Sequence, residues 1–155
     1  MTGSKRWLFR LAWKLHRFWY RVSGGRIGAK VAGLPVLELT TTGRSSGEPR
    51  SVMLTYLDDP SGFIVIASNA GDRRDPAWWR NLQAEPVATV RIGHRSHAVR
   101  MRQLESDERE RAWHRVVAAF DGYAKYAANT TRTIPVALLD KGHVDEYTGR
   151  ITWES

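Results

Sequence analysis

The sequence predicts an α+β domain that is mainly β, and three observations carry that expectation. Several short runs alternate apolar and polar residues or are continuously apolar and β-branched, as in Val36–Thr41, Val52–Tyr56, Phe63–Ala67, Val87–Gly93, Ser96–Leu104 and Ile134–Leu139. Turn-forming clusters separate them, with glycine, proline or aspartate at Gly43–Pro49, Asp58–Gly62 and Gly93–Arg95. Helical periodicity, by contrast, is confined to three stretches. A chain of 155 residues fits one domain with one real core, here divided into an amphipathic segment (1–30) and a globular body (31–155).

Taken in order, residues 5–22 come first. Trp7, Leu8, Leu11, Leu15, Phe18, Trp19 and Val22 recur at helical spacing, with lysine and arginine on the opposite face. Ser23-Gly24-Gly25 ends this helix. The run V-L-E-L-T-T-T-G-R-S-S-G-E-P-R-S-V-M-L-T-Y (36–56) then reads as a β-hairpin, because Gly43, Gly47 and Pro49 interrupt two alternating strands. Asp58–Gly62 is a turn, and F-I-V-I-A (63–67) is a buried strand. Asp75-Pro76 resembles an N-cap followed by proline at the first helical position, so a helix is expected through A-W-W-R-N-L-Q-A until Pro86.

Residues 87–93 and 96–104 form an antiparallel pair around Gly93-His94-Arg95. Ser106-Asp107-Glu108 opens a helix with acids in its first turn, where they complement the helix dipole. Its apolar face is Trp113, Val116, Val117 and Phe120. Asp121-Gly122 breaks it, and Tyr123 and Tyr126 follow on a short helical turn. I-P-V-A-L-L (134–139) is a strand whose proline marks an edge or a strand start. Arg150–Trp153 reads as a last short strand or tail.

The net charge of +8 is unevenly placed. Residues 1–30 hold eight cations (Lys5, Arg6, Arg10, Lys14, Arg17, Arg21, Arg26 and Lys30), and no acid precedes Glu38. The body is charge-balanced, which argues against a nucleic-acid-binding domain. A cationic helix with tryptophan and leucine on its other face suits a membrane interface, and its apolar run is too short to span one. An ordinary helix docked on the body or on a second subunit fits the same pattern. Cysteine is absent, which excludes disulfides and thiolate catalysis.

Chemistry concentrates in the hairpin connection. Arg44, Ser45, Ser46 and Arg50 offer two guanidinium forks and two hydroxyls beside glycines that allow close backbone approach. That set suits a phosphate or carboxylate, and equally a solvated turn. It is not a Walker A loop, for no lysine follows the second glycine. His94 and His97 flank a turn without acidic or cysteine neighbours, so no metal site is expected. Trp78 and Trp79 fit core packing as well as a ligand wall.

The motif T-T-T-G-R-x-S-G-x-P-R (40–50) resembles the signature of the deazaflavin-dependent nitroreductase family, a branch of the split β-barrel flavin-binding proteins. A-S-N-A-G-D-R-R-D-P-A-W-W-R-N-L (67–82), F-D-G-Y-A-K-Y (120–126) and R-T-I-P (132–135) resemble the same family in order and spacing. The resemblance implies a split β-barrel with flanking helices that binds coenzyme F420, a deazaflavin with a phosphodiester and a polyglutamate tail. It implies that Arg44, Ser45, Ser46 and Arg50 hold the phosphate, that Ala67, Ser68 and Asn69 flank the ring, and that Trp78 and Asn81 stand behind it. Tyr126 and Tyr123 would line the acceptor site, with Ser68 able to hydrogen-bond the acceptor. The chain departs from the family at Ser45 and Asn69, where lysine is common, and at Phe120, where a further tyrosine is frequent.

The activity implied is hydride transfer from reduced F420 to a quinone, activated alkene or nitro compound. Alternatives are an FMN-binding split-barrel oxidoreductase and a non-catalytic cofactor- or lipid-binding protein at the membrane. The expected location is cytoplasmic, on the inner face of the cell membrane through residues 5–22, with a homodimer left open and no nucleic acid as partner.

Overall fold

A computed structural model describes residues 30, 31 and 33–153, together with Ala12 and Leu15, two isolated positions in helical conformation. The expected amphipathic helix otherwise lies outside the described residues. Both positions are exposed, Leu15 among them, although the sequence places it on the apolar stripe.

The strands are β1 (Lys30–Val31), β2 (Leu34–Thr42), β3 (Pro49–Thr55), β4 (Leu57–Asp59), β5 (Gly62–Ile66), β6 (Val87–Ile92), β7 (Arg95–Gln103), β8 (Val136–Asp140), β9 (His143–Val144) and β10 (Ile151–Thr152). The helices are α1 (Ala77–Ala84), α2 (Ser106–Ala119) and α3 (Gly122–Ala128), and a 3-10 turn spans Asn69–Gly71. Every pairing is antiparallel. The main sheet runs β1-β2-β6-β7-β8-β5-β4, and β3 pairs with β2 off this path. The β2–β3 hairpin is in register from Val36 opposite Thr55 to Thr42 opposite Pro49.

The connectivity dictates the shape. β3 pairs only with β2 at one edge, and β4 pairs only with β5 at the other. Yet β3 ends at Thr55 and β4 begins at Leu57, so the single residue Tyr56 joins the two edges. The sheet must therefore curl until its edges meet, which makes a barrel with an unbonded seam between β3 and β4. Tyr56 is anchored there by its amide to Pro35 O at 3.0 Å.

Period-two alternation then sorts side chains between two cores. Leu37, Leu39, Phe63, Val65, Val90, Val99, Ala137 and Leu139 fill the barrel together with Trp78, Trp79 and Leu82 of α1, so that helix plugs one end. Ile64, Ile66, Val136 and Leu138, from the opposite faces of β5 and β8, pack with Ala112, Val116, Tyr123 and Ile134 under α2 and α3. This double burial explains why F-I-V-I is apolar without interruption: β5 is covered on both faces.

Several elements differ from expectation. Asp58 and Asp59 belong to β4, and the turn tightens to Pro60-Ser61. Pro76 is the N-cap of α1, not its first residue, and the cap has no side-chain hydrogen bond. The carboxylate of Asp75 is drawn instead to Arg132, at 2.9 Å. Pro135 precedes β8, which lies inside the sheet between β7 and β5, so the proline marks a strand start and not an edge. The C-terminal residues form a hairpin, β9–β10, closed by the Trp153 indole N–H donating to Asp140 O at 2.9 Å.

Candidate active site

The barrel directs three segments to one end. Antiparallel pairing puts the β2–β3 turn, the chain between β5 and α1 and the start of α1 together there. Between them opens a cleft of about 1110 Å³, slightly larger than ligand sites usually are. Its lining includes Arg44, Ser45, Ser46, Arg50, Asn69, Trp78 and Asn81. Seven of the sequence-predicted residues, from two distant segments, thus share one surface.

Backbone and side-chain bonds together hold the β2–β3 turn in shape. The Gly43 amide donates to Glu48 O at 2.8 Å and the Gly47 amide to Gly43 O at 2.7 Å. Gly47 has φ +70°, which favours glycine. Gly43 is required for a different reason: a Cβ there would lie 2.6 Å from Ser46 Oγ and 3.1 Å from Glu48 O. The Ser46 hydroxyl accepts from the Glu48 amide at 3.2 Å and from Arg50 Nη2 at 3.3 Å. Ser46 therefore shapes the loop and aims Arg50 as well as lining the cleft.

Asn81 ties the turn to α1. Its Oδ1 accepts from the Arg44 amide at 3.3 Å and from Arg44 Nη1 at 3.1 Å, while its Nδ2 donates to Thr41 Oγ1 at 3.0 Å. Asn81 is buried, so its bond to Thr41 forms away from water, while its two bonds to the exposed Arg44 are part-buried. Trp78 packs edge-on against Trp79 at 6.0 Å. Trp79 is core, and Trp78 belongs both to the core and to the lining of the cleft.

Opposite the turn, the wall is strained. Asn69, Ala70 and Gly71 have φ of 47°, 53° and 79° in succession, and a non-glycine residue in this region costs on the order of 1–3 kcal/mol. Asn69 Nδ2 donates to Arg74 O at 2.9 Å, so its side chain braces the segment. Gly71 abuts α3, where a Cβ would lie 3.0 Å from Tyr126 O. The cleft also gathers Arg73, Arg74 and Arg80 against the acids Asp72 and Asp75. Those three arginines had no assigned role in the sequence: Arg73 and Arg74 lie in the D-R-R-D run, which has no periodicity that would show where they point, and Arg80 lies within the helical A-W-W-R-N-L-Q-A stretch.

Four other predicted residues stand off this lining. Ala67 and Ser68 are buried behind it, at the end of β5, and the Ser68 hydroxyl does not cap the 3-10 turn. Tyr123 is buried in the outer core, its hydroxyl 2.5 Å from that of Thr55. Burial pushes the Tyr123 phenol above its ordinary value, opposed in part by the Thr55 bond. Tyr126 is half-buried, in edge contact with Tyr123 at 6.0 Å. Among the described residues no cluster of histidine, aspartate and glutamate could hold a metal.

The F420H(2)-dependent quinone reductase family model matches residues 12–141. The chain belongs to that family. A relative named F420H(2)-dependent quinone reductase, from Mycobacterium tuberculosis strain H37Rv, is 34% identical over 132 residues, covering 83% of this chain and 89% of its own length. Among solved structures, an F420-H2 dependent reductase shares 36% identity at a TM-score of 0.63, covering 68% of this chain and 94% of its own. A chain solved as a domain-swapped dimer shares 31% identity at a TM-score of 0.65, over 89% of this chain and 100% of that one. The haem-binding protein from Mycobacterium smegmatis, 20% identical at a TM-score of 0.54 and covering 72% of this chain and 48% of its own, shares the fold.

Proposed function

We propose that this family member reduces a quinone with coenzyme F420, held in the cleft between the β2–β3 turn and the Asn69–Asp75 wall. The observation that carries the reading is the convergence of five guanidinium groups, from Arg44, Arg50, Arg73, Arg74 and Arg80, on one cleft with two carboxylates. One of those carboxylates, Asp75, is already engaged by Arg132. A ligand with several negative charges fits such a donor set; a neutral one would leave the cations unmatched. Gly43 lets the turn fold tightly on itself, with Ser46 Oγ and Glu48 O where a Cβ would lie, and so sets the loop that carries Arg44 and Arg50 to the cleft.

When bound, the reduced deazaflavin supplies the hydride. The protein supplies binding and orientation. Arg44 and Arg50 give charge-assisted hydrogen bonds to the phosphodiester, and Ser45 and Ser46 lie beside them. Asn81 fixes the turn in position, and Ala67, Ser68, Asn69 and Trp78 form the wall behind the ring. Arg73, Arg74 and Arg80 supply the positive charge that lysines at positions 45 and 69 would otherwise give. Of the two tyrosines, Tyr126 is the better donor to an oxygen gaining negative charge. Its hydroxyl has no hydrogen bond among the described residues, whereas that of Tyr123 is held by Thr55.

The test is a titration of the purified protein with F420 and FMN side by side. Submicromolar to micromolar binding of F420 and weak binding of FMN is expected. Arg50→Ala should weaken F420 binding about tenfold to a hundredfold, since such a bond contributes roughly 1.5–3 kcal/mol. Preference for FMN would sink the reading.

Two further parts of the proposal concern partners. Residues 5–22 bring the protein to an anionic membrane surface, supported by eight cations before the first acid and by the exposed Leu15. No helix among the described residues is long and apolar enough to cross a membrane. A homodimer is the assembly, supported by the similar chain solved as a domain-swapped dimer.

A further inference from the structure

We propose that Arg132 is the positioning residue of the cleft: it locks the strained Asn69–Gly71 turn in the conformation that binds cofactor. Arg132 lies about sixty residues away in sequence, on the chain leading into β8, and does not line the cleft. All three of its guanidinium nitrogens are nonetheless spent on the segment that does. Nε donates to Asp72 O at 3.0 Å, Nη1 to Asp75 Oδ1 at 2.9 Å, and Nη2 to Ala67 O at 3.1 Å and Ser68 O at 2.8 Å. These four acceptors bracket the three residues of positive φ on both sides.

A clamp of this form has a specific consequence. The turn's own backbone bonds are two, Gly71 N to Ser68 O at 2.9 Å and Asp72 N to Asn69 O at 3.0 Å. Two consecutive non-glycine residues in the left-handed region would relax if those bonds stood alone. The planar fork supplies fixed directions that an ammonium cannot reproduce, so lysine is not an equivalent substitute. Arg132 also turns Asp75 away from the α1 N-terminus, leaving that end of the helix and the arginines around it facing the cleft. Geometry at the cofactor wall is thus set by a residue that never touches the cofactor.

The functional consequence rests on the F420 reading, and the experiment separates the two. Backbone amide exchange of residues 67–75 is measured without cofactor in wild type, Arg132→Lys, Arg132→Ala and a control, Val116→Ala, which loosens the outer core. Arg132→Lys should speed exchange in 67–75 at least about tenfold while β5 and β8 keep their protection, whereas Val116→Ala should not. KM for F420H2 should rise at least about tenfold in Arg132→Lys with a smaller change in kcat, because binding geometry and not chemistry is lost. Guanidinium added at millimolar concentration should partly restore KM in Arg132→Ala. Unchanged exchange in Arg132→Lys, or an effect shared with Val116→Ala, overturns the proposal. If wild type itself fails to bind F420, the cofactor reading falls while the exchange result still decides the clamp.

Discussion

The buried amide of Asn81 accepts two hydrogen bonds from Arg44 and donates one to the buried Thr41, so its replacement removes three bonds at once. Asn81→Leu should lower stability by roughly 1–3 kcal/mol and weaken F420 binding in parallel, because each unpaired buried group costs its desolvation. Thermal melts and a binding titration on the same variant check both halves. Tyr123 and Tyr126 separate differently. Tyr126→Phe should slow turnover of a model quinone by up to about a hundredfold, with the F420 dissociation constant nearly unchanged. Steady-state kinetics decide it, and wild-type rates would leave the ring a packing role only. Tyr123→Phe reports on pH instead. Its folded pKa is raised by burial above the ordinary 10.0, so the folded state keeps its proton where the unfolded chain releases one. That contribution to stability is complete below about pH 10 and is lost as pH rises beyond it, and Tyr123→Phe should flatten this alkaline loss in denaturant melts.

At the scale of elements, local chemistry and long-range chemistry differ in how far they could be read in advance. The β2–β3 hairpin, the β6–β7 pair and α2 were legible because their patterns of alternation, glycine and first-turn acid are written in neighbouring residues. β4 was not, since three residues including Asp58 and Asp59 carry no strand preference, and only pairing with β5 extends them. The Gly-Arg turn was visible as a motif. Arg73, Arg74, Arg80 and Arg132 were not visible as a group, because their places follow from barrel closure and, for Arg132, from carbonyls contributed by a remote segment. Residues 5–22 carry a prediction of their own. Near an anionic surface each cation contributes about 1 kcal/mol. Deleting residues 1–25 should therefore abolish salt-sensitive sedimentation with anionic vesicles and leave F420 binding largely intact. Equal pelleting of the shortened chain would refute the membrane role.

For the molecule as a whole, the division of labour is spatial. One end of the barrel carries the cleft, the interior carries the first core with α1 as its plug, and α2 and α3 cover the outer faces of β5 and β8. Cleft-lining residues come from the turns and helix starts at that one end. The strands themselves contribute little more than Thr41, Arg50, Ser51 and Val52. The seam spanned by Tyr56 extends this to time. The β2–β3 hairpin forms from neighbours, but β5 finds β8 only across about seventy intervening residues, as Ile64 opposite Leu138. Contacts of that range are slow to assemble. Leu39→Ala in the hairpin should thus slow refolding, whereas Leu139→Ala at the β5–β8 junction should chiefly hasten unfolding, as stopped-flow kinetics would reveal. A nascent chain has both cleft-lining segments, the β2–β3 turn and the Asn69–Asp75 stretch, before it has Arg132 to clamp the second or β8 to close the barrel. The cofactor's place is completed only with the final strand of the main sheet.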